Sequence, residues 1–125
     1  MAARAPAASD DSADLDLLKG TVEVMILKAL SWGPMHGFAV AKWVRSTTDD
    51  VLQIDDGALY PALHRMEHRG LIDADWDLTE NKRRAKYYRL TVKGRQELRA
   101  RSSIWDRYAS AVSKVIHATV QPSVT

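Results

Sequence analysis

A mainly α-helical fold with a small β-hairpin and a long C-terminal dimerisation helix is the fold class this sequence predicts. Three observations carry it. Apolar residues recur at helical spacing in three successive segments before residue 70. The period then changes to two, with Ile72, Ala74 and Trp76 alternating with Asp73, Asp75 and Asp77. Finally, Leu98, Trp105 and Val112 repeat every seven residues near the end, where little chain is left to cover them.

The elements follow in order. Residues 1–14, rich in Ala, Asp and Ser, read as a disordered arm. The first helix spans residues 17–30, with Leu18, Val22, Met25, Ile26 and Ala29 on one face, and Gly33-Pro34 ends it. A second helix covers residues 37–45, burying Phe38, Val40, Ala41, Trp43 and Val44. Residues 51–54 are a short extended candidate. The third helix begins near Asp55-Asp56, whose carboxylates suit helix-start N–H groups, and ends at Gly70, a residue type favoured just past a helix. Leu59, Leu63 and Met66 form its inner stripe, so Tyr60, His64, Arg65 and His68 face outward. Pro61 requires that this helix start only a few residues earlier.

The alternating segment from Ile72 and the segment 85–90 are the two strands of the hairpin, joined by a polar loop over residues 79–84. Tyr87 and Tyr88 point to opposite sheet faces, one packing beneath the hairpin. Trp32, Trp43 and Trp76 are expected in core or hairpin packing. Thr91 caps a last helix reaching about residue 118, roughly 40 Å long, with Tyr108 and Val115 beside the seam. Such a helix cannot be covered by the preceding residues and should pair with a second copy. The resulting division is an arm (1–14), a helix-hairpin domain (15–90), a dimerisation helix (91–118) and a disordered tail (119–125).

Composition narrows the function. The chain has 125 residues, 46% of them hydrophobic, and no cysteine, which excludes disulfides, thiolate metal sites and cysteine nucleophiles. No apolar run could span a bilayer and no secretory signal is evident, so a cytoplasmic location is expected. Net charge is only +2, but it is unevenly spread. Residues 82–101 hold nine bases against one acid, whereas residues 1–24 hold two bases against five acids. A local concentration of positive charge suits phosphate binding.

Three helices, then a hairpin with a basic tip, describe a winged helix-turn-helix. In that architecture the third helix enters the major groove, and the wing follows phosphates or reaches the minor groove. The expected DNA-binding residues are therefore Ala58, Tyr60, His64 and Arg65 on the helix and Lys82, Arg83, Arg84 and Lys86 on the wing. Leu98, Trp105, Tyr108 and Val112 are assigned to an effector or dimer interface. The partners are double-stranded DNA with a two-fold operator and a second copy of the chain; no membrane, cofactor, metal or catalytic residue is expected.

Two other function classes account for less of the sequence. A nonspecific architectural DNA binder would share the basic wing but has less need of a long dimer helix. His64, Glu67 and His68 form an H-x-x-E-H string, a spacing known in zinc metallopeptidases, but no third ligand is evident elsewhere. Glu67 is expected instead to pair with a neighbouring arginine, and Asp55-Asp56 to cap rather than catalyse.

Four stretches add a resemblance: Leu18-Lys19-Gly20-Thr21, Gly33-Pro34-Met35-His36-Gly37-Phe38, the run from Gly57 to Glu67, and the run from Arg84 to Thr91. Over residues 17–116 the chain resembles the PadR family of bacterial transcriptional regulators, in its smaller branch with one long C-terminal helix. The resemblance implies a dimeric winged-helix repressor that releases its operator when a small aromatic compound binds. It further implies that Trp105 matches a tryptophan that stacks on planar ligands between subunits. Ala58 departs from the Ser or Thr common in the family; a hydroxyl contact is lost there, although alanine can touch a thymine methyl.

Overall fold

The computed structural model describes the backbone of residues 11–124 and the side chains of residues 20–124. Its elements run α1 (Asp11–Leu30), β1 (Met35–His36), α2 (Gly37–Thr47), α3 (Asp56–His68), β2 (Ile72–Leu78), β3 (Arg84–Leu90) and α4 (Val92–Ile116). Helix α1 starts six residues ahead of the expected position and takes in residues 11–14 of the expected arm. The rest of that arm, the Leu18 side chain and the last residue of the tail lie outside the described residues. Helix α4 stops two residues short of the expected end, at a C-terminal turn in which the His117 N–H donates to the Ser113 carbonyl.

The core forms where α1, α2 and α3 meet the base of the sheet. Val22, Ile26, Leu27 and Leu30 of α1 pack with Val40 of α2 and Leu59, Leu63 and Met66 of α3. Leu71, Ile72, Tyr88 and Leu90 close it from the hairpin side. Phe38 departs from its expected burial and is 68% exposed. The buried stripe of α2 is Gly37, Val40 and Val44, and Phe38, one residue beyond Gly37, is turned about 100° away from it. Trp32 is also exposed, with Trp43 edge-on to it at 5.4 Å and the Lys28 ammonium 4.5 Å above its ring.

Caps set the helix boundaries that place α3. The Asp55 carboxylate accepts from the Ala58 N–H at 2.9 Å, with Asp56 adding negative charge in the first turn. At the other end Gly70 adopts φ +75°, its N–H donates to the Glu67 carbonyl and the Leu71 N–H donates to Met66. That pair of bonds ends a helix and turns the chain straight into a strand. Pro61 sits in the second turn of α3.

The sheet has three strands rather than a hairpin alone, in the order β1-β3-β2. The additional strand is two residues long, Met35 opposite Tyr88 and His36 opposite Tyr87, too short to leave a period in the sequence. Residues 51–54 form no strand. Between β2 and β3 the register pairs Ile72 with Leu90, Ala74 with Tyr88, Trp76 with Lys86 and Leu78 with Arg84. These pairs share one face, which is buried at Ile72 and Leu90 and exposed at Trp76 and Leu78, because the hairpin extends past the core. Trp76 is thus uncovered, with the Arg84 guanidinium 5.0 Å from its ring centre.

Thr91 caps α4 as expected, its hydroxyl accepting from the Gly94 N–H at 3.0 Å and donating to the Gly70 carbonyl at 2.7 Å. Gly94 packs so close to the Leu71 carbonyl that a Cβ there would overlap it. The start of α4 is therefore clamped to the junction of α3 and β2.

Candidate nucleic-acid interface

The outward face of α3 is a shallow depression lined by Tyr60, Pro61, His64, Arg65 and His68. Asp55 fixes where α3 begins, and burial of Leu59, Leu63 and Met66 fixes its rotation, so Tyr60 and His64 must face solvent. Tyr60 is held from one side by Gly37: a Cβ at that glycine would meet the tyrosine Cε1 at 2.8 Å. A larger residue at the start of α2 would therefore push the tyrosine ring aside. Ala58 is half-buried in the first turn of α3.

Arg65 is placed differently from Tyr60 and His64. Its Nε donates to Glu23 Oε2 at 3.2 Å, which draws the guanidinium back toward α1. Glu23 also accepts from Arg69 Nη1 at 3.1 Å and from Arg101 Nη1 at 2.8 Å, both on Oε1. Arg101 is held in turn by Glu97 at 2.7 Å. Burial of the Glu23 carboxylate works against its ionisation, but the hydrogen bonds from Arg101, Arg69 and Arg65 outweigh it and hold the group below the usual glutamate range. Glu23 is 6% exposed, the one buried charged side chain among the described residues. Sequence reasoning missed it. The signal was available: Glu23 lies three and four residues before Ile26 and Leu27, inside an apolar face where a lone charge is costly.

On the hairpin, Thr79 closes the tip. Its N–H donates to the Arg83 carbonyl at 2.8 Å and its carbonyl accepts from Lys82, which adopts φ +60°. Lys82 and Arg83 are exposed there, and neither side chain has an acidic partner among the described residues. Lys86 is not at the tip. It lies beneath the hairpin, where its Nζ donates to Glu67 Oε1 at 3.0 Å, a bond that raises its proton affinity. Glu67 thus pairs with a lysine instead of the expected arginine, and its carboxylate is occupied within the H-x-x-E-H string. Of the two tyrosines, Tyr88 is the buried one, its phenol pushed up by burial, while Tyr87 is half-buried edge-on to His36 at 5.3 Å. A cleft separates the tip from the start of α2, with Arg83 and Arg84 on one wall and Phe38 and Lys42 on the other.

The four residues assigned to the last helix also separate. Leu98 packs against the core of its own domain. Trp105, Tyr108 and Val112 are exposed, with the Trp105 and Tyr108 rings 6.4 Å apart. No helix among the described residues is long and apolar enough to cross a membrane.

A helical core presenting one exposed helix face, followed by an extended hairpin with a cationic tip, defines a winged helix-turn-helix protein. Comparison with known proteins is in accord. Residues 26–100 match the transcriptional regulator PadR-like family. A transcriptional regulator from Clostridium thermocellum superposes with a TM-score of 0.69 at 30% identity, over 85% of this chain and 99% of its own. A PadR family transcriptional regulator from Eggerthella lenta gives 0.67 at 32% identity, over 87% and 93%. A PadR-like transcriptional regulator from Bacillus cereus shares the fold, with a TM-score of 0.70 at 24% identity over 82% of this chain and 98% of its own. The chain belongs to the PadR-like family of transcriptional regulators.

Proposed function

We propose that this regulator binds double-stranded DNA as a homodimer, recognises a two-fold operator, and acts as a repressor released by a small planar aromatic effector. The observation that carries the DNA reading is the wing tip, where Lys82 and Arg83 stand clear of the core without acidic partners. Unpaired exposed cations on an extended hairpin gain most from a polyanion, because each phosphate they neutralise releases counterions. Arg84, resting on Trp76, supports them. Ala58, Tyr60 and His64 are the residues assigned to the bases and adjoining backbone. Arg65 and Lys86 are occupied by carboxylates of their own chain.

The dimer and effector parts rest on α4. Trp105, Tyr108 and Val112 give an uncovered apolar row on a helix whose base is fixed. An aromatic pair of this kind favours flat or cationic compounds by stacking, worth roughly 0.5–2 kcal/mol for each contact. If such a compound opposes DNA binding, DNA must weaken the compound by the same factor.

The test is a footprint on DNA upstream of the protein's own gene and its neighbours, with R83A/R84A alongside. A defined two-fold protected site at low protein concentration supports operator recognition, whereas uniform coverage indicates an architectural binder. The double variant should reduce the salt dependence of binding by about two units of slope for each protomer, roughly four for the dimer, while the dimer persists. An unchanged slope would remove the wing from the interface. For the effector, fluorescence of a variant retaining only Trp105 is read against planar aromatic compounds, with and without DNA.

A further inference from the structure

We propose that Glu23 is a specificity-determining residue that competes with DNA phosphate for Arg65 and Arg69, holding both arginines off the duplex. This rests on the DNA-binding reading above and adds an internal control to it.

The geometry is that of an anion site already filled from within. Arg65 and Arg69 are four residues apart, one at the margin of the α3 depression and the other at the helix C-cap. Their side chains are 38% and 42% exposed, whereas the Glu23 side chain is 8% exposed. The carboxylate is thus inside and the guanidiniums lie partly in solvent, where a rotamer change would carry them outward. A carboxylate and a phosphate diester offer guanidinium the same thing, a negative charge spread over two oxygens. The partition between them depends on how well Glu23 holds on. Three arginines face two carboxylates, Glu23 and Glu97, so the cluster keeps one net positive charge and its guanidiniums are not all neutralised. Arg101 of α4 shares Oε1 with Arg69, so the grip on α3 is shared with the last helix.

Withholding two cations costs affinity for every sequence alike, because phosphate contacts carry no sequence information. Discrimination improves when the sequence-independent part is kept small and base contacts decide.

The experiment measures anisotropy of a fluorescein-labelled, random-sequence 24-base-pair duplex with the full chain between 50 and 200 mM salt, using wild type, E23Q, R65Q, E23Q/R65Q and R83A/R84A. E23Q should bind this duplex more tightly and steepen the salt dependence by about one to two units for each protomer bound, one for each arginine released. R65Q alone should leave the slope unchanged, since that arginine is already occupied. Added to E23Q, it should remove about one unit of the gain for each protomer. If E23Q weakens binding or leaves the slope unchanged, Glu23 is a packing residue and the proposal falls. Should E23Q not fold, R65Q decides: a loss of about one unit would show Arg65 already on phosphate and overturn the idea. The wing variant separates the two readings. If its slope falls while that of E23Q is unaltered, only the present inference fails; if neither moves, the DNA reading fails with it.

Discussion

The winged domain and the outer half of α4 are built to opposite specifications. In the domain, Ile26, Leu59, Leu63 and Met66 are wholly buried, and no buried side-chain polar atom among the described residues lacks a partner. Along α4 beyond Ser102, every side chain is exposed except the half-buried Ala109, although Ile104, Trp105, Tyr108, Val112 and Val115 lie among them. A 25-residue helix that buries so little has few tertiary contacts to stabilise it. Its apolar row adds nothing to the core of this chain, which fits the association surface proposed above. The domain is completed by its own residues, and the outer half of α4 is left uncovered by them.

Paired truncations should sharpen that contrast most. Leu63→Ala should destabilise the domain by about 2–5 kcal/mol, read as a lower midpoint in urea at any protein concentration. Trp105→Ala should leave the dilute-protein midpoint nearly unchanged while weakening self-association, measured by sedimentation. Equal losses from both variants in dilute protein would break the comparison.

Gly94 stands where the two regions join, and its effect should be smaller. Gly94→Ala presses a methyl on the Leu71 carbonyl and should cost about 1–3 kcal/mol, seen by thermal denaturation. Gly20→Ala, where an added Cβ meets no other packed group among the described residues within 4 Å, serves as its control and should gain about 0.5–1 kcal/mol in the helix.

Acid should reveal the Glu23 cluster, the gentlest of these probes. Its native pKa lies below the unfolded value near 4.5. Stability from this group is therefore fully present above that value and is lost as pH falls through the lower native pKa. Denaturant titrations from pH 6 to pH 3 should show a decline that is shallower in E23Q. Identical pH profiles would mean that the three arginines do not favour the ionised form.

What could be read from the sequence was local. The change of period at Gly70, the caps at Asp55 and Thr91, the inner stripe of α3 and the opposed tyrosines of β3 all follow from residues within a few positions of each other. The features that escaped depend on distance. Glu23 meets its arginines across 42, 46 and 78 residues, and Lys86 meets Glu67 across 19, separations to which no periodicity responds. Strand β1 exists only because β3 lies beside it. Trp76 alternated as expected, yet is uncovered because alternation gives a residue's face, not how far the core extends beneath it. Leu98 kept the seven-residue spacing of the seam but sits near enough to the base of α4 to be claimed by its own domain.

The clamp at the base of α4 gives the helix a mechanical character. Thr91 bonds to Gly70, Gly94 abuts Leu71, and the Lys93 ammonium donates to the Arg69 carbonyl at 2.9 Å. With its root held at three successive points, the helix turns with the winged domain and works as a lever arm of about 37 Å. A rotation of about 5° displaces its far end by roughly 3 Å, close to the 3.4 Å rise of one base step. Were two such helices to pair as proposed, an angular adjustment of this size between them would shift each winged domain by about one base step.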